Sequence, residues 1–86
     1  MTLRIEKDSD GKIIRLIGQV QAEHLDALRE QIASSGPRPL LDLDEVTVVD
    51  VDVVRFLGAR ELEGMKILHC SPYIREWILR EQQRNR

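Results

Sequence analysis

The stretch LLDLDEVTVVDVDVVRFLGARELE, residues 40–63, contains the change of pattern that decides the fold. It opens with a short apolar run at 40–43, which is typical of a strand in the middle of a sheet. Residues 44–49 are predicted to form a loop. Asp50 then caps a helix that continues to a stop at Gly64. The stretch therefore predicts a strand, a loop and a helix in succession.

Upstream of this stretch, the sequence predicts a hairpin. Residues 3–6 alternate between apolar and polar side chains, as a half-buried strand does. The DSDG run at 8–11 is typical of a turn. A second strand follows at 13–17 and is closed by Gly18. Two short strands joined by such a turn predict an antiparallel pair.

Two further helices flank the central stretch. At 22–32 the spacing of apolar residues changes from that of a strand to that of a helix with one apolar face. Gly36 and Pro37 end this predicted helix. A fourth strand is predicted at 65–69. Ser71 and Pro72 then suit the cap and first position of a last helix. The inward residues of that helix are Ile74, Trp77, Ile78 and Glu81, and a polar tail is predicted at 82–86.

The order of these elements predicts an α/β fold for one small domain over residues 1–86. Two strands come first, followed by helix, strand, helix, strand and helix. Strand–helix–strand crossovers are nearly always right-handed and parallel. The expected architecture is a four-stranded mixed sheet, with a hairpin at one end and helices mainly on one face.

Composition narrows the classes of function. The chain has 86 residues, 42% hydrophobic and 33% charged, with a net charge of -2, so we expect no broad attraction to nucleic acid or anionic lipid. Apolar runs are too short to span a membrane, and the N-terminal residues resemble a strand rather than a secretion signal. Cys70 is the single cysteine and has no partner for an internal disulfide. We therefore expect a cytoplasmic protein without membrane insertion.

The residues give little support for catalysis. His24 and His69 lie on different elements, and Cys70 points to the other face of its strand from His69, so a zinc site is not favoured. Cys70 precedes a helix start, where a thiol can become reactive, but the same position suits an inert strand-end residue. No phosphate-binding glycine loop is present. We expect no enzyme activity, no bound metal and no cofactor.

Acidic residues surround the central strand and helix start, and two interpretations of them stay open. They are Asp42, Asp44, Glu45, Asp50 and Asp52. The cluster could bind Mg²⁺ in a metal-assisted hydrolase, although no base and nucleophile pair accompanies it. Alternatively, Asp50 caps the helix and Asp52 interacts with the positive end of its dipole.

The apolar residues around these carboxylates suggest a contact surface for another protein. The inward stripe of the helix is predicted to be Val54, Leu57, Gly58 and Leu62. Val53, Arg55 and Phe56 cannot all face that same core. An apolar, partly exposed rim around carboxylates is typical of protein-binding sites, and plain core packing is the alternative. The predicted partner-binding residues are Asp42, Asp50, Val51, Asp52, Val53, Arg55 and Phe56.

The same segment resembles STAS domains, the family of anti-sigma-factor antagonists. In that family an Asp-Leu strand end leads through a short loop to an Asp that opens a helix, as residues 42–50 do here. The resemblance covers about 13–81 and includes Leu-Ile-Gly at 16–18, the GMKIL strand at 64–68 and the helix start at Ser71. It implies a fold with the element order predicted above and a regulatory, protein-binding function.

The sequence departs from this family at the regulatory position. Members of partner-switching circuits carry Asp-Ser-Ser-Gly-Leu, and phosphorylation of the second Ser by an anti-sigma kinase releases the domain. Here residues 50–54 are DVDVV, so Asp52 stands in place of that Ser and Val53 in place of the Gly. A serine kinase cannot modify Asp52, whose charge of about -1 is smaller than that of phosphoserine. The resemblance therefore implies a domain fixed in one binding state.

The resemblance also implies two kinds of partner. One is an anti-sigma-kinase-like protein in a bacterial circuit that regulates transcription. The other is an assembly, because STAS domains also serve as subunits of lipid-transport or stressosome-like complexes. In that second role the chain would form a homodimer through the sheet face that the helices leave uncovered. The apolar residues expected on that face are Ile13, Ile17 and Leu40, with Arg4, Glu6, Arg15 and Lys66 among them.

Overall fold

The computed structural model describes residues 3–8, 11–36 and 39–84 of the chain. Its strands are β1 (Leu3–Lys7), β2 (Ile13–Val20), β3 (Leu40–Val49) and β4 (Ile67–Leu68). Its helices are α1 (Leu25–Ser34), preceded by a 3₁₀ turn at Ala22–His24, α2 (Val51–Leu62) and α3 (Pro72–Arg84). The predicted α/β class and the predicted order of elements are confirmed.

The four strands form one mixed sheet in the order β1-β2-β3-β4. β1 and β2 are antiparallel, whereas β2 with β3 and β3 with β4 are parallel. At the hairpin, the Gly11 N–H donates to the Asp8 carbonyl at 3.0 Å, which closes the predicted turn. Ser9 and Asp10, the middle of that turn, lie outside the described residues, as does Pro37 after α1.

The core lies between the helices and one face of the sheet. Strand residues Ile14, Leu16 and Leu41 are fully buried there, together with Leu28 of α1, Leu57 of α2 and Ile78 of α3. All six belong to one continuous cluster, so the three helices share a single face of the sheet. We call the opposite face of the sheet the open face.

β3 is much longer than predicted, and the loop expected at 44–49 is wrong. These residues continue the strand and pair with β2 as far as Val49, which lies opposite Val20. Two irregularities in the pairing, between Arg15 and Ile17 and between Gly18 and Gln19, each add one residue to β3. The predicted end of β2 at Gly18 is also wrong, because β2 continues to Val20 as the partner of this part of β3. The polar residues of 44–47 are accommodated because much of this part of β3 is exposed.

Several predicted boundaries also shift near the C-terminus. β4 contains only Ile67–Leu68, shorter than the strand expected at 65–69. α3 continues through Arg84, so most of the expected polar tail is helical, and residues 85 and 86 lie outside the described ranges. The helix start at Ser71 is confirmed, because its Oγ accepts a hydrogen bond from the Ile74 N–H at 3.3 Å. Leu62, predicted to face the core, is 68% exposed.

Across the ranges that the structure describes, no helix has both the length and the apolar character needed to cross a membrane.

Candidate protein-binding site at the start of helix α2

Asp50 connects two helix starts through its two carboxylate oxygens. Oδ1 accepts a hydrogen bond from the Val53 N–H at 3.0 Å, which is the predicted capping contact of α2. Oδ2 accepts from the Ala22 N–H at 2.9 Å, at the beginning of the 3₁₀ turn before α1. The sequence predicts the first bond but not the second, which joins residues 28 positions apart. Asp50 therefore holds the 3₁₀ turn that follows β2 against the start of α2.

Asp52 lies in the first turn of α2 with its side chain exposed to solvent. Among the described residues, its carboxylate has no hydrogen bond or ion pair. The adjacent Val51 is 37% exposed, and Val48 at the end of β3 is 49% exposed. Arg55, one turn further along α2, is also exposed. We call these four residues, Val48, Val51, Asp52 and Arg55, the α2-start surface.

Val53 and Phe56 do not belong to this surface, and their predicted place on an exposed rim is wrong. Val53 is fully buried and Phe56 is 8% exposed. The guanidinium carbons of Arg29 and Arg60 lie 5.4 and 5.6 Å from the centre of the Phe56 ring, within the range of cation–π attraction. Both side chains are buried because the buried residues of α2 span an arc of roughly 200° around the helix axis, at 100° per residue, rather than a narrow stripe.

Arg55 contributes to the surface while being anchored to α3. Its Nε donates to Glu81 Oε1 at 3.0 Å, and Glu81 is one of the few buried charged residues of the described chain. Because an unpaired buried carboxylate is costly, this ion pair stabilises the contact between the helices. The guanidinium is therefore held in a fixed position about one helical turn from Asp52.

Asp42, the remaining predicted site residue, lies on the open face of the sheet and not on the α2-start surface. It is only 4% exposed. One of its oxygens accepts from the Asp44 N–H at 3.0 Å and lies 3.2 Å from His69 Nδ1. The other lies 3.5 Å from Arg15 Nη2. His69 reaches it from a left-handed backbone conformation with φ of +55°.

The surroundings of Asp42 favour its charged form. Burial raises the pKa of Asp42, but the hydrogen bonds from Asp44 and His69 and the charges of His69 and Arg15 outweigh burial and hold the pKa below its ordinary value. Asp42 therefore has structural partners for its charge, and its position in the sheet separates it from Asp52.

We expect Asp42→Asn to make folding stability less sensitive to acid. The ionised carboxylate stabilises the fold fully above the ordinary Asp pKa of about 3.9, and this contribution is lost as the pH falls through the lower folded-state pKa. The variant keeps an acceptor for the Asp44 N–H but loses the charge, which should cost about 1–2 kcal/mol at neutral pH. Urea denaturation of both proteins at several pH values, from neutral to strongly acidic, gives the slope of the free energy of unfolding against pH. Equal slopes in the acid range would contradict the assignment of Asp42 as a charge-dependent contact.

The other candidates for chemistry do not converge. Asp44 and Glu45 are exposed on β3, and His24 contacts Glu23 and the Gln21 N–H near α1. In the described part of the chain, no three His, Cys, Asp or Glu side chains are grouped closely enough to hold a metal ion. Burial raises the pKa of the Cys70 thiol, Arg75 lowers it and Glu61 raises it, with a net increase. A raised pKa keeps this thiol protonated at neutral pH, which is unfavourable for a nucleophile.

No model of a known protein family matches this chain. No curated protein gives a significant match either.

Proposed function

We propose that this chain is a non-enzymatic regulatory module of the STAS type, which binds a partner protein through the α2-start surface. The observation that supports this proposal most is the state of Asp52. Its carboxylate is exposed and has no partner among the described residues, while Val51, next to it in the helix, and Val48, at the end of β3, expose apolar area. A charge flanked by exposed β-branched residues offers both an orienting contact and area to bury.

The rigidity of this surface also supports binding. Asp50 fixes the first turn of α2 to the 3₁₀ turn after β2, and Glu81 fixes the Arg55 side chain. Residues held in place before binding lose little conformational entropy when a partner docks. The proposed site therefore combines one unpaired charge, one anchored charge of opposite sign and two apolar side chains.

The partner favoured by this surface is a protein with a basic group facing Asp52 and an apolar patch facing the two valines. An anti-sigma-kinase-like protein and a subunit of a larger assembly are both candidates, as the family resemblance implies. Asp52 carries its charge permanently, so in this proposal the module stays in one binding state and is not switched at this position.

Affinity capture tests the proposal. The immobilised wild-type chain and two charge-reversed variants, Asp52→Lys and Glu30→Lys, are exposed to lysate of the native host, and retained proteins are identified by mass spectrometry. Glu30 is an exposed residue of α1 and serves as the matched control. We expect a protein that is retained by the wild type and by Glu30→Lys but lost with Asp52→Lys. Equal retention by all three baits would contradict the proposed site.

We also expect no phosphorylation at the start of α2. Asp52 has no hydroxyl, and the peptide from Val49 to Val54 contains no Ser, Thr or Tyr. Incubation with an anti-sigma-type serine kinase and ATP, followed by peptide mass spectrometry, checks this. Modification of Thr47 or Ser71, the first hydroxyl-bearing residues before and after this segment, would show instead that a switch exists at a displaced position.

A further inference from the structure

Within the described part of the chain, β1 is an edge strand of the sheet, and one side of its backbone pairs with no other strand. The Asp8 N–H donates to the Ile13 carbonyl at 3.1 Å, so Asp8 and Ile13 form a hydrogen-bonded pair of the hairpin. Bonding alternates along an antiparallel ladder, so Arg4 and Glu6 direct their backbone groups towards β2. The N–H and C=O groups of Leu3, Ile5 and Lys7 therefore point outward from the sheet.

The sequence of β1 is complementary to itself in the antiparallel direction. If a second β1 pairs about a two-fold axis at Ile5, the outward groups of residues 3, 5 and 7 meet those of residues 7, 5 and 3. The three residue pairs form six backbone hydrogen bonds. Arg4 then lies directly opposite Glu6 of the other copy, and Glu6 opposite its Arg4. Both are non-hydrogen-bonded positions, where cross-strand side chains are closest.

The two charged side chains are already placed for such pairing. Arg4 Nη2 lies 2.9 Å from Glu6 Oε2 within the chain, on the open face, and both side chains are exposed. In a pair of strands, each Arg gains a second carboxylate and each Glu a second guanidinium. The outward-facing Lys7 does not block the edge with a free charge, since its Nζ donates to Ser34 Oγ of α1 at 3.2 Å.

We propose that a second copy of this chain pairs with β1, joining the two sheets into one continuous eight-stranded sheet. This surface differs from the open face through which the sequence predicted a homodimer. That face carries the charged residues Arg4, Glu6 and Arg15 beside half-buried Ile13 and Ile17, and is poorly suited to self-stacking. The edge pairing uses a surface separate from the α2-start surface, because that surface is formed by β3 and α2, and β2 lies between β1 and β3 in the sheet.

Charge exchange between Arg4 and Glu6 tests this pairing. Arg4→Glu alone, or Glu6→Arg alone, places like charges opposite each other at both symmetric positions of a homodimer. A 1:1 mixture of the two single variants restores opposite charges at both positions, as does the double variant Arg4→Glu/Glu6→Arg. Each protein is first checked for native circular dichroism, and its mass is then followed by sedimentation velocity at low ionic strength.

We expect the wild type to dimerise, each single variant to dimerise roughly 10- to 100-fold more weakly, and the mixture and the double variant to recover. Native mass spectrometry of the mixture should find one copy of each variant per dimer. A wild type that stays monomeric up to the order of 1 mM, or single variants that dimerise as tightly as the wild type, would overturn the proposal. If a single variant loses its native circular dichroism, comparison of the wild type with the double variant and with Lys7→Pro still decides whether two β1 edges pair. The proline removes the outward-facing N–H of residue 7 and the contact with Ser34, but none of the N–H groups that bond to β2, so it should weaken the dimer while the double variant does not.

Discussion

Gly58→Leu should be among the most destabilising single substitutions in this protein, with an expected loss of about 1–3 kcal/mol. Gly58 lies at the contact between α2 and α3. A Cβ atom at this position would meet Gln82 Cγ at 3.2 Å and Ile78 Cγ2 at 3.7 Å. A leucine side chain would have to enter this contact and push the helices apart.

The polar contacts at the same place would also be disturbed. Gln82 Nε2 donates to the Gly58 carbonyl at 3.1 Å and to Glu61 Oε1 at 3.0 Å, and Glu61 pairs with Arg75 at 2.8 Å. Displacing Gln82 would therefore weaken a group of bonds between the helices. Since the stability of a small domain is about 5–15 kcal/mol in total, the loss should be easy to detect.

Urea denaturation of Gly58→Leu beside Ala59→Leu measures this effect. Ala59 is the next residue of α2 and is exposed, so the same side chain there should change the free energy of unfolding by less than about 0.5 kcal/mol. In Gly58→Ala, a gain in helix propensity of about 1 kcal/mol opposes the cost of the close contact between the new Cβ atom and Gln82. Equal stability of the two leucine variants would show that α3 does not pack on α2 at Gly58.

Asp50→Ala should cost about 1–3 kcal/mol, more than the loss of a helix cap usually does, because two backbone N–H groups lose their acceptor. The capping bond to Val53 stabilises α2, while the bond to Ala22 connects α2 to the segment after β2. Asp50→Asn is the matched control, because its amide oxygen can still cap the helix while its NH₂ group cannot accept from Ala22.

Thermal melting should therefore rank the wild type first, Asp50→Asn second and Asp50→Ala last. Hydrogen exchange provides a local measurement. The Ala22 amide should exchange faster in both variants, and the Val53 amide should be affected mainly in Asp50→Ala. An Asp50→Asn protein with unchanged protection at Ala22 would contradict the role of the second oxygen.

The parts of the fold that depend on local chemistry were predictable from the sequence. The cap at Asp50, the start at Ser71 and the stop at Gly64, which has φ of +109°, each depend on residues within one helical turn. The length of β3 was not predictable in this way. Its polar residues at 44–47 resemble a loop, and only pairing with β2 through two irregularities makes them part of a strand.

The candidate site was predicted only in part, for similar reasons. The exposed positions of Val51, Asp52 and Arg55 follow from the helical period, but the wide buried arc that includes Val53 and Phe56 depends on how the sheet and α1 both cover α2. The contacts of Asp42 with Arg15 and His69 depend on strand register and on the backbone conformation of a single residue. None of these has a signal in the order of residues alone.

Melting and partner affinity, measured together for Asp52→Ala and Asp50→Ala, test most directly whether Asp52 serves binding while Asp50 serves folding. The partner is the protein identified by affinity capture, titrated by calorimetry at a temperature where both variants are folded. We predict that Asp52→Ala loses at most about 1 kcal/mol of stability and binds at least about 10-fold more weakly. Asp50→Ala should melt lower and bind within about 3-fold of the wild type, because its carboxylate is turned onto the backbone and binding loses only the ordering of the first turn. The opposite ranking, with Asp52→Ala melting well below Asp50→Ala and binding the partner unchanged, would show that Asp52 is a structural residue and contradict the proposed site.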